Sequence, residues 1–172
     1  MSGHELRQPP RRLSPADFVA VYGGVYEHSP WIAEAVAGAG LDRATDTAEG
    51  LQAAMMAVVD RAPRDRQLAL LRAHPDLAGK LAVQGELTAE SSAEQASAGL
   101  NACTPAEFAR FQVLNERYKS KFGFPFIMAV RGRHRGEILA AFEQRVNNDE
   151  MTEFAAALRE VHKIALLRLR EM

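Results

Sequence analysis

Helix start signals recur along this chain and constrain what it can fold into. Ser14-Pro15, Ser29-Pro30 and Thr104-Pro105 each place a hydroxyl residue directly before a proline. That order suits a first helical turn, where the hydroxyl takes an orphan N–H and proline's missing donor costs nothing. Thr104-Pro105-Ala106-Glu107 also completes a capping box, the strongest local signal in the sequence. Stop signals stand at matching distances: Gly23-Gly24, Gly38 and Gly40, Pro63, Gly99 and Gly123.

Between these marks the apolar residues keep a helical period. A first helix starts at Pro15 and a second before Trp31-Ile32-Ala33. Thr47 opens a third through Met55, Val58 and Val59, and a fourth covers about 64–73 with Leu68, Leu70 and Leu71. Thr88 caps a short helix over 91–98, and the helix opened by Thr104 carries Phe108, Phe111, Leu114 and Tyr118 on one stripe. Two more follow, about 134–147 and 150–171, joined at Asn147-Asn148-Asp149. Residues 124–130, Phe-Pro-Phe-Ile-Met-Ala-Val, are too apolar for a loop and too short for a helix after their proline, which predicts an extended strip buried in the core. Residues 1–13, with Pro9-Pro10-Arg11-Arg12, read as a flexible arm with nothing to pack. The expectation is an all-α, single-domain bundle of about eight or nine helices over residues 14–172.

Composition narrows the function. At 172 residues the chain can bury a real core. Lys and Arg number 21 against 22 Asp and Glu, a net charge of -1 that argues against a nucleic-acid or anionic-membrane binder. The single cysteine, Cys103, excludes an internal disulfide and suits a reducing compartment. No stretch approaches the roughly 20 apolar residues of a membrane span, and residues 1–13 hold no apolar signal core, so the cytoplasm is expected. Five scattered histidines give no His-x-x-x-His pair, there is no Cys-x-x-Cys, and no metal site is expected.

The residues with chemistry to offer lie near the middle. His74 precedes Pro75, whose ring drives the preceding residue out of the α region, so a helix should end there and hold the imidazole at its C-terminal end. Glu94 sits about twenty residues on, with Ser91 and Gln95 on the same face of a short helix. An imidazole, a carboxylate and two polar side chains suit proton transfer. The plainer readings stand beside this: His74 as a satisfied helix-ending residue, and Glu94 as a solvated one. The apolar strip leaves main-chain N–H and C=O groups that need partners, and a planar polar ligand would supply them as well as a neighbouring strand. Arg168 continues the apolar stripe of Phe154, Ala157, Leu158, Val161, Ile164 and Ala165, either paired within the fold or serving as the cation for an anionic ligand.

Together these segments resemble the OHCU decarboxylases, where OHCU is 2-oxo-4-hydroxy-4-carboxy-5-ureidoimidazoline, an intermediate of urate breakdown. The resemblance rests on Gly23-Gly24-Val25-Tyr26-Glu27-His28-Ser29-Pro30-Trp31, on Ala73-His74-Pro75-Asp76-Leu77-Ala78-Gly79-Lys80, on residues 91–100, and on Leu114-Asn115 through Lys121-Phe122-Gly123-Phe124-Pro125-Phe126-Ile127. Arg131-Gly132 and the last helix continue it, so that it covers about residues 14–170. It implies an all-helical homodimer with no metal or organic cofactor that decarboxylates OHCU to (S)-allantoin. It also implies His74 as the catalytic acid/base with Glu94 as its carboxylate partner. Pro75, Ser91, Ser92, Ala93 and Gln95 would line one side of the substrate, and Phe126, Ile127, Met128, Ala129 and Val130 the other, largely through main chain. Arg168 matches a family arginine near the site. Two rival readings remain at this point: a cofactor-free hydrolase or lyase on a related ureide, and a non-catalytic helical binding module.

Overall fold

The computed structural model describes residues 3–79 and 85–172. Eight α-helices form among them: α1 (Pro15–Tyr22), α2 (Trp31–Ala39), α3 (Ala48–Arg61), α4 (Arg64–Arg72), α5 (Ala89–Ser97), α6 (Pro105–Phe122), α7 (Arg135–Arg145) and α8 (Glu150–Leu169). Three 3-10 turns join them, at Pro10–Arg12, Ala44–Asp46 and Leu100–Ala102. The only bridge of β type among the described residues pairs Glu5 with Thr47. The fold is all-α, and among the described residues no helix is long and apolar enough to cross a membrane.

Four of the hydroxyl caps form as the sequence predicts. Ser14, Thr47, Thr88 and Thr104 accept the N–H of Asp17, Gly50, Ser91 and Glu107, all at 3.1–3.2 Å. Glu107 accepts the Thr104 N–H in return at 3.0 Å, closing the capping box. Ser29 departs from the pattern. Its hydroxyl donates back to the Glu27 carbonyl at 2.9 Å, in a turn where His28 takes a positive φ of 47°, and α2 starts one residue later without a side-chain cap.

The helices gather into two compact units, Met1–Ala73 with Val161–Met172, and His74–Glu160. In the first, α1 packs on α2 and α2 on α3 around Phe18, Tyr22, Ile32, Leu51 and Met55, all fully buried. The described part of the N-terminal segment belongs to this unit and is not a loose arm. Leu6 and Pro10 are buried, the Leu6 N–H donates to the Asp46 carbonyl, the Ala48 N–H to the His4 carbonyl, and Arg11 pairs with Asp46. Proline-rich sequence carries few internal bonds of its own, and here the 44–48 turn and the Tyr22 hydroxyl, which donates to Gln8 O at 2.6 Å, supply them from outside.

The second unit buries an aromatic cluster. Phe111, Tyr118, Phe126 and Phe142 lie in contact, with Phe126 and Phe142 stacked at 4.0 Å between ring centroids. Gly123 ends α6 at a φ of 78°, in the left-handed region where a Cβ is penalised. Residues 125–130 then run through the unit without helix or strand, buried except for half-buried Ala129, as the proline and the apolar run predict.

Candidate functional site

His74 stands just beyond α4, whose last turn is closed by the Ala73 N–H. Pro75 stops the helix there, and the imidazole is 9% exposed. The following residues make a tight loop that α5 and α6 hold by side-chain amides. Gln95 grips it at two points, accepting the Ala78 N–H at 3.0 Å and donating to the Asp76 carbonyl at 3.2 Å. Asn115 donates to the Leu77 carbonyl at 3.0 Å and Gln112 to the Ala78 carbonyl at 2.9 Å. Lys119 closes an ion pair with Asp76 at 2.7 Å. Ala78 has a φ of 51°, a conformation that costs an alanine on the order of 1 kcal/mol and persists only where bonds on both sides fix it. At Gly79 a Cβ would fall 2.6 Å from the Asp76 Cβ, so the turn closes only around glycine. Lys80, the last residue of the motif, lies outside the described residues.

The other candidates are distributed as follows. On α5, Ser91 and Gln95 are buried, Glu94 is half-buried, and Pro75 in the loop is half-buried. Ser92 and Ala93 are exposed. The loop carrying His74 and the helix carrying Glu94 are therefore fastened together through Gln95, the neighbour of Glu94. Gln95, expected to line the substrate, also holds the loop: its amide is bonded at both ends to the main chain. A cleft of about 580 Å³ opens beside α5, lined by Ser92, Gln95 and Ala96 with Leu100, Cys103 and Phe108 among others. It explains why Phe108 is only half-buried on the α6 stripe. Neither His74, Glu94 nor the strip is among the residues lining that cleft. Burial pushes the Cys103 thiol upward, leaving it a poor nucleophile.

The strip carries a run of unpaired main-chain donors. Among the described residues, the N–H groups of Phe126, Ile127, Met128, Ala129 and Val130 donate to no protein acceptor. Buried amides need partners, and a run of five presents a row of donors to whatever lies against it. Among the carbonyls, Val130 accepts from Arg133 N–H, and Ile127 accepts from the Arg145 guanidinium at 2.8 Å. No group of three or more His, Cys, Asp or Glu among the described residues could hold a metal ion.

Arg168 belongs to the first unit and is 5% exposed. It donates to the Glu27 carboxylate at 2.8 Å and to the Val25 carbonyl at 3.3 Å. Of its two expected employments, the structure displays the ion pair. Glu27, itself 2% exposed, went unnoticed in the sequence because a charged residue in a Tyr-Glu-His turn reads as surface. Arg145 and Glu153 were missed for the same reason, and with Tyr118, which the stripe of α6 already placed inside, they make one network. In it Glu153, fully buried, accepts from Arg145, Asn148 and the Tyr118 hydroxyl.

The OHCU decarboxylase family model matches residues 11–170. The chain belongs to this family. The match runs through both compact units, so the two together make up one family domain. A 2-oxo-4-hydroxy-4-carboxy-5-ureidoimidazoline decarboxylase of Haloferax volcanii is 47% identical over 169 residues, 98% of this chain and 96% of that protein. The crystal structure of an (S)-allantoin synthase superposes with a TM-score of 0.74 at 36% identity, covering 94% of this chain and 52% of that one. A second structure, of an OHCU decarboxylase in the presence of (S)-allantoin, superposes at 0.63 over 82% of this chain with 24% identity, a likeness of fold alone.

Proposed function

We propose that this chain decarboxylates OHCU to (S)-allantoin with His74 as the proton donor and Glu94 as its carboxylate partner. The observation that carries the reading is family membership over residues 11–170. The fixed loop behind His74 supports the assignment of the residues, because a proton donor is effective only when held in place.

The substrate's own structure supplies the electron sink. Its ring carbon bears both hydroxyl and carboxylate, next to a C=N bond. As the carbon–carboxylate bond breaks, CO2 leaves and the electron pair moves into a new C=C bond, while the C=N nitrogen takes up the displaced pair and a proton. The enol so formed then accepts a proton on the carbon bearing the ureido group as the hydroxyl gives up its own to become a carbonyl. One enantiomer results only if that proton arrives on one face. The imidazole delivers it, and the row of main-chain N–H groups in residues 126–130 holds the flat ring by its oxygens. Ser91, Ser92, Ala93 and Pro75 border the pose on the side of the imidazole. A general acid in such a role contributes about 10²–10⁴-fold.

The reading extends to a homodimer in the cytoplasm, for which a lone thiol at Cys103 is the supporting feature as regards compartment; sedimentation of the purified protein tests the oligomer. The activity is tested by generating OHCU from urate in situ and following CO2 release together with circular dichroism. Growth of the (S)-allantoin signal faster than spontaneous decay supports the proposal. Ring opening without CO2 release would favour a ureide hydrolase instead.

A further inference from the structure

Arg145 is engaged on three sides at once. Its Nη1 donates to the Ile127 carbonyl at 2.8 Å, its Nη2 and Nε donate to Glu153 at 2.9 and 3.1 Å, and its guanidinium lies 4.5 Å from the centre of the Phe126 ring. Phe126 is in turn stacked on Phe142 and edge-on to Tyr118. Two consecutive residues of the strip are thus held by one side chain, whose carboxylate partner is itself fully buried and bonded to Asn148 and Tyr118.

The consequence lies in the next peptide. No cis bond occurs among the described residues, so the peptide between Ile127 and Met128 is trans and planar, with its C=O and N–H pointing in opposite directions. Fixing the Ile127 oxygen on Arg145 therefore fixes the direction of the Met128 N–H, which points away from Arg145 and has no protein acceptor among the described residues. A cationic donor on the carbonyl also polarises the peptide and makes its N–H a stronger donor. We propose that Arg145 is a positioning residue, which orients and polarises this peptide so that the Met128 N–H donates to a carbonyl oxygen of the bound substrate that (S)-allantoin retains. The identity of that substrate rests on the decarboxylase reading. Lysine cannot replace the arrangement, because a single ammonium has no flat face and no fork to bond the carbonyl and Glu153 together.

The test uses the full chain labelled with ¹⁵N-methionine, which has six methionines, the Met128 amide being assigned by its loss in Met128→Leu. With (S)-allantoin as the probe, the wild-type Met128 resonance should move downfield and saturate. In Arg145→Lys that shift should shrink at least twofold, and kcat/KM on OHCU should fall at least tenfold. Asn148→Ala, which loosens Glu153 without touching the strip, should lower Tm comparably yet keep kcat/KM within twofold. An unmoved wild-type Met128 amide would overturn the inference whatever the variants do, and so would an activity loss in Asn148→Ala equal to that in Arg145→Lys. Turnover of OHCU with a silent Met128 amide ends this inference alone. A responsive Met128 amide in a protein that releases no CO2 supports the peptide assignment and ends the decarboxylase reading.

Discussion

Single residues divide here into those that do chemistry and those that hold them. Glu94 is half-buried on α5, and in the proposed mechanism it acts on the imidazole as a charge, so Glu94→Gln should cut kcat about 10-fold or more while Tm stays within a few degrees. Equal turnover in the two proteins would remove Glu94 from the mechanism. A different histidine reports on folding. His162 accepts or donates at Nδ1 with the Tyr26 hydroxyl at 2.8 Å, and its Nε2 lies 3.7 Å from Asp60. Burial holds its pKa below the ordinary value, with Asp60 acting in the opposite and weaker sense. Between that lowered pKa and the ordinary value of about 6.5 the unfolded chain binds more protons than the folded one. The stability due to neutral His162 is therefore full above about 6.5 and drains as the pH falls through this window. Thermal melts taken from neutral pH down to about 5 should show a steeper loss of Tm for wild type than for His162→Gln, in the sense set by that linkage. Parallel slopes would mean that His162 charges without cost.

At the scale of elements, local chemistry did most of the specifying. The capping box of α6 is readable from four letters, and its hydrogen bonds appear in full; Thr104→Ala should cost about 0.5–2 kcal/mol, measurable by urea denaturation as a lower midpoint at unchanged slope. The helix stop at His74-Pro75 was equally legible, since proline's effect on its predecessor needs no tertiary information. Ser29 was misread because a hydroxyl can turn back to a carbonyl as easily as forward to an N–H, and only the His28 turn decides which. The hold of Gln95 on the Asp76 and Ala78 main chain was not legible either. It joins residues 17 and 19 apart through side-chain amides that leave no periodic trace. The strip was foreseen from composition, but the Arg145 bond to its Ile127 carbonyl depends on how α7 lies against it.

Across the whole molecule, each compact unit holds an arginine–glutamate pair with a buried carboxylate: Arg168, itself buried, with Glu27 in one, and half-buried Arg145 with Glu153 in the other. Such pairs are hard to see in a sequence, because charge reads as surface until a partner from far along the chain arrives; 141 residues separate Arg168 from Glu27. Removing one member strands the other in a poorly solvated place. Glu27→Ala should therefore destabilise by about 3–5 kcal/mol, against a much smaller loss for an exposed pair such as Arg110 with Glu143. A denaturation midpoint for Glu27→Ala close to wild type would show that the pair contributes little. The N-terminal segment taught the same lesson: Leu6 is buried on partners some forty residues away, beyond what a reading of local composition can reach.

Whether His74 delivers the stereospecific proton is read from the course of the reaction in a folded His74→Asn variant, with OHCU generated from urate and the product followed by circular dichroism. That variant should show an unchanged melt, a rate about 10²–10⁴-fold below wild type, and an allantoin signal no larger than spontaneous decay gives. Formation of (S)-allantoin at a near wild-type rate by the same variant would contradict that role for His74.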